Sequence, residues 1–416
     1  MSLFDDLGGA TAKKEPQDKP DPAASLLPLN EVVWGRMVEA YENGGRKGET
    51  THIKELDPHY KWMPGYLNVW TGWMNEGKTE WIYQLLLLRA VLSAKKSAIY
   101  SPENMPEEDI YDQLIHSLTG QNPDKETPAS RRLSLARYQV ARDYVREMFV
   151  VVYPGKGQGR TPQHIMEYFE TAIAKHGGAE SKNGIAHCLT DPWNKQDHSA
   201  INTMGGIEGY LMNTLGKLTD WTAETKQSLI VNAHPRQLPD MKQGQARPIP
   251  DSSHISGGQM WENMAHTVAT YYRPWKHLGR TNELYSDVAI YVHKVKSHKR
   301  VGFPGSIGDG SEAPDVRITY DYRTGRYSVN GKAPLDCLAA EECYLSDEEY
   351  RARQDMRAAT PPTKPAAPAT HGPAAPPLQP LRTDGSSSFE SEAAPLPPVS
   401  DEFPDGWDIN GRIVGL

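Results

Sequence analysis

The 416-residue chain has only three cysteines, Cys188, Cys337 and Cys343, and their spacing fits neither a zinc site nor a disulfide framework. A reducing, cytoplasmic setting follows from that usage. Long apolar runs are missing as well. The longest, around 85–88, is too short to cross a bilayer, so no membrane partner is expected. The N-terminus carries Asp5 and Asp6 where a secretory leader needs a basic and then an apolar run. Nor is there a surplus of positive charge. A formal net charge of −8 excludes a generally basic nucleic-acid coat but leaves room for a local basic channel.

Hydrophobic residues make up 38% of the chain, low for a wholly globular protein, and the 33 prolines are unevenly placed. Residues 1–27 are polar and read as a disordered tail. Within 28–46, Val33, Trp34, Met37, Val38 and Tyr41 form a helical stripe over 30–42. Residues 47–345 are expected to form one domain, within which strand-like and helix-like segments alternate from about 65 to 295. Strands are expected at 66–70, 97–101, 148–153, 184–190, 228–233, 266–272 and 287–293, and helices at 80–93, 107–119, 128–147, 162–176 and 202–224. That alternation predicts an α/β fold, a mostly parallel sheet flanked by helices on both faces. A hairpin is expected at 316–322 and 326–330, turning at Thr324-Gly325. Residues 346–400 form a Pro/Ala/Ser-rich disordered linker, and 401–416 place Phe403, Trp407, Ile409, Ile413, Val414 and Leu416 among acidic residues. Such a peptide on a tether reads as a docking element for a partner protein.

Between the first strand and the helix beginning at Glu80 lies Gly72-Trp73-Met74-Asn75-Glu76-Gly77-Lys78-Thr79. Its two glycines allow backbone N–H groups to converge on a phosphate at a helix N-terminus, where the dipole favours an anion. Lys78 can reach the β- and γ-phosphates, and the Thr79 hydroxyl can ligate Mg²⁺. Gly72, Asn75, Glu76, Gly77, Lys78, Thr79 and Glu80 are therefore the candidate nucleotide-binding residues. Three further candidates end predicted strands, where open parallel sheets place their ligands. These are Glu103 in Ser-Pro-Glu-Asn, Asp191 in Asp-Pro-Trp-Asn and His234 in Ala-His-Pro. In the same order they could polarise water, hold Mg²⁺ and feel the γ-phosphate. The strand before Asp191 is unusually polar, with His187 and Thr190. The stretch 235–256 carries Arg236, Lys242 and Arg247 without core periodicity, and its length favours a functional loop.

These elements, with 48–57 before the loop, Ile255-Ser256-Gly257-Gly258 and His293-Lys294-Val295-Lys296 after it, resemble the RecA-like ATPase core of DnaB-type replicative helicases. The likeness is to superfamily 4, in particular its phage and mitochondrial Twinkle-like branch, and runs from about 47 to 330. The resemblance implies ATP and Mg²⁺ as ligands, with Glu103 as catalytic glutamate, Asp191 as the Mg²⁺-organising carboxylate and His234 as γ-phosphate sensor. It implies a hexameric ring with ATP between subunits, and single-stranded DNA gripped by Arg236, Lys242 and Arg247. The family's trans-acting cation falls on Lys294 and Lys296; lysine stands where an arginine is expected, and Arg300 is near enough to substitute. The 30–42 helix matches the family's linker helix, docked on the next subunit or on its own core. The 27 polar N-terminal residues are too few to fold a primase domain. The expected function is a ring-forming, ATP-driven DNA helicase or translocase with replication partners. A RecA-like DNA-binding ATPase acting as mediator or helicase loader, or a nucleotide-responsive adaptor, remains open.

Overall fold

The computed structural model describes residues 29–337 apart from 105, 129–131, 237–246, 275–285 and 306–312. The expected tails and docking peptide, together with Lys242, lie outside the described residues. Each predicted strand is present. In chain order they are β1 Leu67–Thr71, β2 Lys96–Tyr100, β3 Phe149–Val151, β4 Ile185–Thr190, β5 Ser228–Asn232, β6 Thr267–Tyr272, β7 Asp287–Val295, β8 Val316–Asp321 and β9 Arg326–Ser328. They form a single sheet in the order β3-β2-β4-β5-β1-β6-β7-β8-β9. The first six run parallel, and β7, β8 and β9 are added antiparallel.

Five central strands are buried along their whole length, as expected where helices cover both faces. On one face lie α2 (Lys78–Ser93), α3 (Glu107–Thr119) and α4 (Leu135–Met148), packed with Leu85, Leu88, Leu114 and Val145. On the other lie α5 (Pro162–His176), α6 (Gly206–Thr225) and α7 (Gly258–Met264), packed with Phe169, Leu215 and Trp261. Leu85 to Leu88 are all buried because α2 packs against β2 and β9 of the sheet and against α3. Gln84 fixes that hairpin: its amide donates to the Tyr327 carbonyl at 3.1 Å and accepts from the Tyr327 N–H at 2.7 Å. α1 (Glu31–Asn43) precedes the sheet and has no buried residue.

Two helix starts and one additional helix depart from the sequence reading. α4 begins at Leu135 rather than 128, because the Ser134 hydroxyl caps the helix by accepting from the Arg137 N–H. α6 begins at Gly206 rather than 202, since Gly205 and Gly206 both adopt left-handed φ, 77° and 88°, and interrupt the chain after a 3₁₀ turn at Ser199–Thr203. The short α7 had no counterpart in the sequence reading, because its opening Gly257-Gly258 reads as a turn.

Candidate active site

β1 delivers the chain at the centre of the sheet, flanked by β5 and β6, and the loop Gly72 to Gly77 opens above its C-terminal end. α2 then begins at Lys78, with Gly77 as its cap at φ 95°. A side chain at Gly72 is excluded, since its Cβ would stand 2.2 Å from the Tyr271 carbonyl oxygen. Tyr327 donates from its hydroxyl to the Gly77 carbonyl at 2.8 Å, and Tyr271 bonds that same hydroxyl at 2.9 Å. Glu76 is buried and accepts from the Arg273 N–H at 3.2 Å. The loop is thus held from β6 and β9.

The resulting cavity of about 470 Å³ is lined by Asn75 to Glu80 of the loop and helix, and by Glu103, Asn232, His234 and Arg273 from strand ends. Lys78 lies at its floor, donating to the Trp73 carbonyl at 2.8 Å. Burial lowers the Lys78 ammonium to about 8, against the pull of Asp191 and Glu76. Asp191 lies beneath, beside Thr79, and accepts from the Asn232 amide at 2.5 Å. Burial raises its carboxyl to about 6, opposed by the nearby Thr79 hydroxyl, the Asn232 hydrogen bond and Lys78. The second Asp191 oxygen, Oδ2, is buried without a hydrogen-bond partner. An orphaned carboxylate oxygen next to a threonine hydroxyl is a donor set that suits a hard cation. Among the described residues no cluster of three or more His, Cys, Asp or Glu could hold a metal alone.

Glu103 and His234 face each other across the mouth, Oε2 to Nε2, at 3.9 Å. Burial, Lys78 and Lys195 lower the His234 imidazole to about 4, so at neutral pH the ring is uncharged and the contact is not an ion pair. Asn194 of the Asp-Pro-Trp-Asn element fixes His234 by accepting its backbone N–H at 2.9 Å. Asn104 of Ser-Pro-Glu-Asn donates to the Tyr83 hydroxyl at 3.4 Å. The structure therefore gathers Lys78, Thr79, Glu103, Asp191 and His234 at one end of the sheet.

Lys294, Lys296 and Arg300 are elsewhere. β7 runs against β6, with Val295 opposite Thr267, so all three lie at the far end of the sheet from the phosphate loop. Lys294 donates to the Glu262 carbonyl, whereas Lys296 and Arg300 are exposed. Arg236 stands at the base of the 235–256 connection, where Pro235 bridges Ile255, and donates to the Ser253 carbonyl at 3.0 Å. Arg247 lies over the Trp73 ring, 5.3 Å from its centroid.

Sequence reasoning missed Arg273 and Tyr320, whose guanidinium and ring lie 5.7 Å apart on the cavity wall. Arg273 directly follows β6 and obeys the same strand-end rule as Glu103 and Asp191, so that signal was present. Tyr320 carries no such signal, because its place depends on the order of the antiparallel strands. A larger cleft of about 1040 Å³ between α3 and α4 shares Asn104 and Tyr320 with the cavity. It has no phosphate-cradling backbone, so the smaller cavity is the candidate site.

No protein-family model matches the chain. It is 25% identical over 301 residues, 71% of its length, to the Twinkle homolog protein, chloroplastic/mitochondrial, of Arabidopsis thaliana. The match spans 39% of that relative. The chain is thus similar in sequence to a Twinkle homolog over most of its length. Its fold agrees: a solved ATPase domain superimposes at TM-score 0.55 and 15% identity, covering 73% of this chain and all of that one. A DnaB-like replicative helicase, described with its interactions with primase, superimposes at 0.53 and 15%, covering 73% and 67%. The shared core is thus the RecA-like sheet, and the phosphate loop sits at its centre. No helix among the described residues is long and apolar enough to cross a membrane.

Proposed function

We propose that the chain is an ATP-hydrolysing DNA helicase or translocase of the replicative type that works as a ring on single-stranded DNA in the cytoplasm. The observation that carries this reading is the cluster at the phosphate loop, with buried Lys78 and Asp191 below and Glu103 beside a neutral His234 at the mouth. Backbone N–H groups of the loop and the Lys78 ammonium bind the phosphates and stabilise the charge that develops there. The Thr79 hydroxyl and the Asp191 carboxylate would hold Mg²⁺, whose charge offsets that of the phosphates. Glu103 orients and polarises the attacking water. His234, neutral across the physiological range, donates a hydrogen bond to a γ-phosphate oxygen and registers its loss. Arg273 and Tyr320 offer a cationic plane and a ring suited to the flat face of a base.

The far-end position of Lys294, Lys296 and Arg300 supports delivery of a cation to a neighbour's site, because none of them can turn to the chain's own loop. Such head-to-tail association closes into rings. Arg236, Lys242 and Arg247 on the 235–256 connection would meet DNA phosphates without sequence preference. In this reading 401–416 recruits a replication protein. Deleting it should reduce partner recovery in a pull-down and spare ATP hydrolysis; undiminished recovery counts against a docking role.

Substitution at two residues tests the core of the reading. Lys78→Ala should lower ATP hydrolysis at least ~100-fold, with an unchanged circular-dichroism spectrum. Glu103→Gln should slow hydrolysis ~10²–10⁴-fold yet retain ATP on the protein. Wild-type turnover in Glu103→Gln would remove Glu103 from the mechanism.

A further inference from the structure

Trp73 fills the first variable position of the phosphate loop, where the chemistry asks for nothing in particular, and yet its indole is buried. The ring packs with Tyr272, Ala289, Tyr291 and Ile249. Its Nε1–H donates to the Pro248 carbonyl at 3.0 Å, and Arg247 stacks over its face. Residues 247–250, the return leg of the 235–256 connection, are tied to the same wall. The Tyr272 hydroxyl donates to the Arg247 carbonyl at 2.9 Å, and the Thr270 hydroxyl to the Pro250 carbonyl at 2.6 Å. The main chain of Trp73 faces the other way, and its carbonyl accepts the Lys78 ammonium. One residue therefore grips the connection with its side chain and the phosphate-binding lysine with its backbone.

We propose that Trp73 is a positioning residue that couples nucleic-acid binding at Arg247 to nucleotide binding at Lys78. This rests on the reading of the 235–256 connection and of the phosphate loop given above. Two pulls meet at Trp73. A nucleic-acid phosphate forks onto the N–H edge of the exposed Arg247 guanidinium, which stacking leaves free, and draws the side chain towards the strand and off the indole face. A nucleotide phosphate competes with the Trp73 carbonyl for the Lys78 ammonium. Drawing Arg247 away loosens the indole, lets the Trp73 peptide turn, and frees Lys78. Each ligand thereby favours the arrangement the other needs, which is positive coupling.

Coupling is reciprocal, so it can be measured from either side. With the full chain, the affinity of a fluorescent non-hydrolysable ATP analogue is measured with and without oligo-dT, and that of oligo-dT with and without the analogue. Wild type should show the same enhancement in both directions, roughly 5- to 150-fold. In Trp73→Leu, which loses both the N–H and the aromatic face, the enhancement should fall to about one while each ligand still binds alone. Trp73→Phe, which keeps a smaller aromatic face and loses the N–H, should restore part of it. Full enhancement in Trp73→Leu overturns the proposal. So does loss of nucleotide binding without DNA in both variants, which would make the tryptophan a mere prop for the loop. A wild type that binds both ligands with no enhancement overturns it too. Failure of the underlying reading looks different: wild type then binds no nucleotide or no oligo-dT, or Arg236→Ala with Lys242→Ala leaves the salt dependence of oligo-dT binding unchanged.

Discussion

His187 occupies the middle of β4, a position where a buried parallel strand ordinarily carries an aliphatic residue. Its imidazole accepts from the Arg89 guanidinium at 3.3 Å and packs under Trp62, with ring centroids 4.7 Å apart. Arg89, itself buried, pairs with Glu49 and donates to the Thr50 carbonyl at 3.3 Å. The polarity of β4 is therefore a clamp that holds the segment before β1 against α2, and it works only with a neutral ring. Burial, Arg89 and Lys95 keep the His187 pKa well below its ordinary value. His266 poses the same requirement in a form that can be tested. Its Nδ1 accepts the N–H of Leu67, the first residue of β1, at 3.1 Å. Burial, Lys296 and Lys294 lower it from 6.5 to about 4. Between those values the unfolded chain takes up a proton that the folded chain refuses, so the contribution of His266 to stability is lost as pH falls from 6.5 towards 4. His187 and His234 act in the same direction and Asp191 in the opposite one, so the informative quantity is a difference between proteins. The drop in urea midpoint from pH 7.5 to 5 should be smaller in His266→Gln than in wild type. Equal drops would show that His266 does not resist protonation.

At the scale of elements, the strands were legible because fully buried runs such as Leu67–Thr71 and Ser228–Asn232 are short, apolar and bounded by turn residues. The phosphate loop, Glu103, Asp191 and His234 were legible by one rule, that ligands gather where parallel strands end. What the sequence could not convey is order and direction, because pairing partners are set by packing over long separations and not by local pattern. Nothing in 287–295 announces that β7 reverses and carries Lys294 and Lys296 to the opposite end of the sheet. That reversal motivates a prediction about assembly. If Lys296 serves a neighbour, a subunit with Lys296→Ala spoils a site it does not contain. Lys78→Ala and Lys296→Ala proteins, each deficient in ATP turnover alone, should regain turnover when mixed, because the intact site of a Lys296→Ala subunit then receives the lysine of a Lys78→Ala neighbour. No regain on mixing would mean that every site is self-sufficient.

At the scale of the whole molecule, α1 is the element least accounted for by the chain's own packing. Asn30 caps it, its side chain accepting from the Val33 N–H at 2.9 Å, yet a helix of 13 residues is marginal in water unless an apolar face finds cover. That face is present and uncovered: Trp34 and Met37 are each 50% exposed and Tyr41 90%. Covering a large apolar side chain is worth about 1.5–3 kcal/mol, reduced where the residue is already half-buried, and part of any gain is offset by the entropy of association. A few such residues at every junction of a ring would still be a substantial share of what holds neighbours together. The same face laid on the chain's own core would have left some of its residues buried, and α1 has none. We therefore expect α1 to dock on the next subunit and to set the concentration at which rings form. Trp34→Asp combined with Met37→Asp should shift assembly, followed by sedimentation velocity, to at least ~10-fold higher protein concentration. ATP turnover per subunit should fall in parallel at low concentration and recover at high concentration, because the site itself is untouched. An unchanged sedimentation profile in that variant would place the ring contacts on the sheet domain alone and leave the exposed stripe of α1 without this role.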